Sequence, residues 1–139
     1  MRITTDTNLI VSAALWGGNP RRVLDAARDG IFDICTSPAL LNELEFVLRR
    51  QKFDKRFLGL GFTVDEFLDE FSTFATVIDA IPIEPIIVRD PDDDMVLACA
   101  ISSESTFIVS GDSDILDLKQ HEGIRILTAT ELLAELNLR

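Results

Sequence analysis

Residues 2–11 read Arg2-Ile3-Thr4-Thr5-Asp6-Thr7-Asn8-Leu9-Ile10-Val11. The first four suit a short strand that ends on a carboxylate. Leu9 to Val11, continued by Ala13 and Ala14, begin a buried helix that Gly17-Gly18 stops. The same alternation runs outward along the chain. Asn19-Pro20 offers a cap and a first-turn proline for a second helix with Val23, Leu24, Ala26 and Ala27 on its apolar face. Ile31 to Cys35 reads as a strand, and Ser37-Pro38 repeats the cap signal before Leu41, Leu44, Val47 and Leu48 at helical spacing. Thr63 with Glu66 is a capping-box pattern ahead of Phe67, Phe71 and Phe74. Val77 to Val88 carries Pro82 and Pro85 and is extended at best. Met95 to Ile101 is helical, Phe107 to Ser110 and Ile124 to Leu127 are strands, and Thr128 with Glu131 caps a last helix. Short strands alternating with helices predict one α/β domain over residues 1–139. Its sheet is mainly parallel, of four or five strands, with helices on both faces.

Composition sets bounds on function. The chain is 47% hydrophobic and 27% charged, as globular domains are, and it has no internal repeat. No apolar run reaches the length of a membrane span, and no basic leader precedes a hydrophobic stretch, so a soluble, cytoplasmic protein is expected. Cys35 and Cys99 sit in apolar segments and read as core thiols rather than a disulfide or metal finger. The formal net charge of −11 argues against binding nucleic acid by phosphate neutralisation alone.

The acids are unevenly placed. In an open parallel sheet, ligands lie beyond the carboxyl ends of the strands. Asp6 closes the first strand, and Asp112 follows Ser110-Gly111 after another. Glu43 stands about a turn and a half into the helix capped by Ser37, and Asp94 ends the run Asp90-Pro91-Asp92-Asp93-Asp94 where a helix begins. Each acid taken alone has a plainer reading. Aspartates favour helix N-termini, an explanation with about even weight for Asp92 and Asp93, and Glu43 alone reads as a solvated helix residue. Convergence of separate segments on one sheet edge is what points to Mg²⁺ or Mn²⁺, because all-oxygen ligation selects hard cations. Carboxylates so crowded should drive at least one of their group to titrate upward.

Four motifs in register carry a family resemblance: Asp6-Thr7-Asn8; Ser37-Pro38 through Glu43-Leu44; Asp90 to Asp94 with Leu97-Ala98-Cys99-Ala100; and Val109-Ser110-Gly111-Asp112-Ser113-Asp114. Together they resemble the motifs of PIN domains, closest to the VapC-like ribonucleases of bacterial toxin–antitoxin pairs. The resemblance implies a three-layer fold and a metal-dependent endoribonuclease of single-stranded RNA. It assigns Asp6, Glu43, Asp94 and Asp112 to metal binding and catalysis, with one or two ions per site. Asp114 would be an auxiliary acid, and Asn8 and Ser110 would hydrogen-bond the ligating carboxylates. It also implies a homodimer, packed through the helices after Pro38 or Thr63, and a cognate antitoxin. The competing expectation within the family is a catalytically weak or inactive nucleic-acid-binding module. The Thr4-Thr5 pair departs from the apolar first strand of relatives.

Other features weigh less. Arg49, Arg50, Lys52, Lys55 and Arg56 could contact phosphates beside the active site; the plainer reading is a solvated helix end. His121 is the sole histidine and reads as surface, with no nucleophile near it, and Trp16 reads as core. A phospho-accepting receiver would need a lysine after the last strand, where Leu127-Thr128-Ala129 stands. A phosphate-loop enzyme would need a glycine-rich motif that is absent.

Overall fold

A computed structural model describes residues 1–81 and 91–138. The strands are β1 (Arg2–Thr5), β2 (Asp33–Thr36), β3 (Ala75–Val77), β4 (Phe107–Val109), β5 (Gln120–His121) and β6 (Ile124–Leu127). They form one sheet in the order β3-β2-β1-β4-β6-β5. All pairings are parallel except β5 with β6, which is antiparallel. The five parallel strands match expectation. The sixth is a two-residue edge strand, too short to leave a period in the sequence. The Pro82 and Pro85 part of the expected extended segment lies outside the described residues, and its first residue, Val77, is the last of the edge strand β3, which begins at Ala75.

The helices are α1 (Thr7–Leu15), α2 (Gly18–Arg28), α3 (Pro38–Leu48), α4 (Asp54–Leu60), α5 (Val64–Phe74), α6 (Pro91–Ser103), α7 (Ser113–Leu116) and α8 (Ala129–Glu135). Three expected caps are present. Ser37 accepts from the Leu40 amide, and Thr63/Glu66 and Thr128/Glu131 each form a complete capping box. α2 starts earlier than expected, with Gly17 as its cap at φ 81°. That backbone suits glycine, and proline three positions on still lies in the first turn, where its missing N–H costs nothing.

Alternation along the strands divides the core in two. Ile3, Ile34, Phe107, Val109 and Leu127 pack with α1, α2 and α8 on one face. Cys35, Ile108 and Ile126 pack with Val96, Leu97 and Ala100 of α6 on the other. The result is the three-layer arrangement expected. Thr4 is fully buried on the second face, and its hydroxyl meets those of Ser105 at 2.9 Å and Ser103 at 3.4 Å. The polar strand residue is thereby satisfied within the layer. Cys35 and Cys99 are both buried, unbridged thiols.

Candidate metal centre

Parallel strands put their carboxyl ends on one edge, and every element of the site starts or stops there. Asp6 directly follows β1, and its amide donates to Val109 O at 3.3 Å, extending the β1–β4 pairing. Its carboxylate then caps α1, with Oδ1 accepting from the Leu9 amide at 2.9 Å. Oδ2 accepts from the Ser110 hydroxyl at 2.5 Å. That hydroxyl also accepts from the Asp112 amide at 2.9 Å, so Ser110 joins the two strand-end acids. Asp112 in turn caps the short α7, Oδ1 taking the Asp114 amide at 2.8 Å.

Asp6 is buried, and burial holds its carboxyl above the ordinary range. The bonds from Ser110 and Leu9 oppose that rise, and the charge of Asp112 adds to it. Burial is thus the larger cause of the upward direction and like-charge crowding the smaller.

Asp6, Glu43, Asp93 and Asp112 line one narrow cleft of about 30 Å³, with Thr7, Asn8 and Val96. A hole of that size holds roughly one or two water-sized species. Carboxylate oxygens of Asp93, Asp112 and Asp114 lie within 4.8 Å of one another. Three hard oxygen donors at that spacing fit a cation of the Mg²⁺ or Mn²⁺ type.

α6 precedes β4 in the chain, so its first turn returns to the carboxyl edge of the sheet and delivers an acid there. The acid it turns into the cleft is Asp93, which is buried, whereas Asp94 is half-buried and not among the cleft's residues. Adjacent helical residues point about 100° apart, given 3.6 residues per turn, which separates the two side chains. The sequence pattern had favoured Asp94 by counting back from Leu97-Ala98. Val96 to Ala100 are all buried, so no apolar stripe in the sequence tells the two aspartates apart.

Arg56 donates to Leu15 O at 2.7 Å, at the C-terminal end of α1, while Asp6 caps the other end. A nine-residue helix puts those ends roughly 13 Å apart. Arg49 is committed to ion pairs with Glu45 and Asp65. Arg50, Lys52 and Arg56 sit over the rings of Phe46, Phe53 and Trp16 at 5.9, 5.1 and 4.6 Å. Trp16 is 61% exposed, a correction to its reading as core; it lies at the end of α1, covered on one face by Arg56. His121 is half-buried on the edge strand β5, away from the acids.

A second, larger cavity of about 390 Å³ shares Asn8 and Asp112 with the acidic cleft. Sequence reading missed it because its walls come from α1, α2, the β4–α7 turn and α8, stretches far apart in sequence whose caps and motifs do not show that they meet.

Comparison with known proteins agrees with the geometry. A chain of the crystal structure of VapBC2 from Rickettsia felis, bound to a DNA fragment from their promoter, superposes with a TM-score of 0.61 at 16% identity. The match covers 91% of this chain and 97% of that one. Among curated proteins none matches. The family model for the PIN domain matches residues 2–114, a span that runs from β1 through Asp114 and takes in every acid of the cleft. The chain belongs to the PIN-domain family.

Proposed function

We propose that this protein is a metal-dependent endoribonuclease that hydrolyses phosphodiester bonds of single-stranded RNA, and that it serves as the toxin of a toxin–antitoxin pair. The observation that carries the reading is the convergence of Asp6, Glu43, Asp93 and Asp112 on one cleft, with Asp114 beside it. In this reading Asp93, Asp112 and Asp114 supply the ligand oxygens for Mg²⁺ or Mn²⁺, and Asp93 takes the place that sequence pattern gave Asp94. A bound cation would lower the pKa of the attacking water and offset charge on the departing oxygen. The chain's own groups do the rest. Ser110 and the Leu9 amide hold Asp6 in one orientation towards the cleft. Glu43, half-buried on α3, is the carboxylate that can take the proton lost by the attacking water.

A partner protein and a second copy of the chain are part of the proposal. The support is exposed apolar surface on the helices after Pro38: Phe46 of α3 is 70% exposed and Leu58 of α4 is 83% exposed. The comparison chain comes from a VapBC2 complex, and no described helix is long and apolar enough to cross a membrane.

The test is cleavage of a labelled single-stranded RNA with Mg²⁺, with Mn²⁺ and with chelator. We expect metal-dependent endonucleolytic products, lost on chelation and reduced at least a hundred-fold in Asp112→Asn. RNA binding with no metal-dependent cleavage would support the inactive binding module instead.

A further inference from the structure

We infer that the cavity beside the acidic cleft binds one unstacked nucleobase of the substrate, and so selects which bond is cut. The inference rests on the nuclease reading above and adds to it a seat for base recognition. Asn8 and Asp112 belong to both spaces, so whatever fills the larger one touches the residues next to the metal centre. Its volume, about 390 Å³, lies within the roughly 300–1,000 Å³ typical of small-molecule sites.

The chemistry of the walls narrows the ligand. Ser12, Asn19, Thr128 and Thr130 offer hydroxyls and an amide, neutral groups that both donate and accept. Leu9, Pro20 and Ala129 supply apolar surface between them. Among the described residues that line this cavity there is no lysine or arginine, and Arg22 comes only to Asn19 Oδ1 at 3.5 Å; with Asp112 in the lining, a phosphate is poorly suited to it. A nucleobase is well suited: it is flat, uncharged and apolar on its faces, with donors and acceptors along its edges. Single-stranded RNA can splay a base out of its stack and present that edge to amide and hydroxyl groups.

The wall is also held in place. Asn19 Nδ2 donates to Thr130 Oγ1 at 2.8 Å, tying α2 to α8 across a separation of 111 residues. Thr130 keeps its hydroxyl proton to donate, and the Asn19 side chain is fixed in orientation. Two groups from different helices, locked to each other, form a rigid edge against which one pattern of donors and acceptors fits better than another.

The experiment uses the full chain and two substrates in Mn²⁺. One is a panel of single-stranded RNAs with each of the four bases at the positions flanking the cut. The other is bis(p-nitrophenyl) phosphate, a diester with no base to read. The variant is Asn19→Ala with Thr130→Val, checked by melting to be folded. We expect the wild type to favour one base at one flanking position. In the variant that preference should fall about ten-fold, the scale of one well-made base-edge pair, with unchanged hydrolysis of the diester. Base preference kept in the folded variant, or no base preference in a wild type that cleaves RNA, would overturn the inference. A wild type that hydrolyses neither substrate would instead defeat the nuclease reading, and this inference with it. If the double variant does not fold, Ser12→Ala, which removes a hydroxyl with no bond to another helix, faces the same two criteria.

Discussion

Ser110 spends one hydroxyl on two acids, donating to Asp6 and accepting from the Asp112 amide. Around that hub each carboxylate has a distinct environment, and two expectations follow. The first separates the neighbours on α6. An ion that binds only the folded site stabilises it in proportion to its affinity. Mn²⁺ should therefore raise the melting temperature of the wild type and of Asp94→Asn alike, and raise that of Asp93→Asn much less. An undiminished response in Asp93→Asn would return the ligand role to Asp94. The second concerns pH. Burial raises the folded-state pKa of Asp6 above its unfolded value, so the group's contribution to stability is whole below the unfolded value and is lost as pH rises through the folded one. Asp6→Asn cannot ionise. In chelator, the melting temperature of that variant minus that of the wild type should grow from acid to neutral pH. A difference that stays flat or shrinks would show that Asp6 does not titrate upward.

Among the elements, α3 shows how a local signal serves the site. Ser37 is buried and takes the Leu40 amide at 3.2 Å, and Pro38 begins the helix, so the start of α3, and with it the placing of Glu43, is fixed by two residues. Ser37→Ala should cost about 1 kcal/mol, read from urea denaturation midpoints, with the metal requirement of cleavage intact. Such caps are the features most legible in sequence, because their chemistry is local: Ser37-Pro38 and both capping boxes hold. The phase of α6 is harder to read, because Asp93 and Asp94 look alike in sequence and only Asp93 is buried. The start of α2 was misread for a related reason. Asn19-Pro20 resembles a cap, but the Asn19 side chain bonds the side chains of Thr130, more than a hundred residues away, and Arg22 rather than a backbone amide of the first turn. β5 left no period to detect, and Trp16 was assigned to the core by residue type although its surroundings expose it. The parallel order of the central strands and the shared edge of Asp6 and Asp112 were legible, since both follow from strand–helix alternation.

For the whole molecule, the nuclease reading raises the question of how a chain of net charge −11 would meet a polyanion. Its exposed cations are not spread evenly: Arg50, Lys52, Lys55 and Arg56 follow one another from the end of α3 into α4, and Arg56 sits at the opposite end of α1 from Asp6. If RNA runs from the cleft across this end of the molecule, the cations act at a distance from the cut, on binding rather than on chemistry. Lys52→Ala with Lys55→Ala should then raise KM and leave kcat little changed. The slope of log affinity against log salt should become shallower by roughly 1.4, at about 0.7 for each single-strand phosphate contact removed. An unchanged slope would mean that the strip is only solvated surface.

The order of the sheet also governs when this protein can act. β1 lies between β2 and β4, so the strand made early must wait for one that begins at residue 107 before its second side is covered. The hydrogen bond from Ser110 to Asp6 spans 104 residues. Pairings so far apart in sequence close late and slowly, because the intervening chain must first give up its freedom. On the ribosome, a nascent chain lacking residues 107–114 has Asp6 but neither its hydroxyl partner nor the acids that complete the cation site. On the proposed nuclease reading, topology alone keeps the site incomplete during translation, until the fourth strand clears the exit tunnel and slots in beside the first.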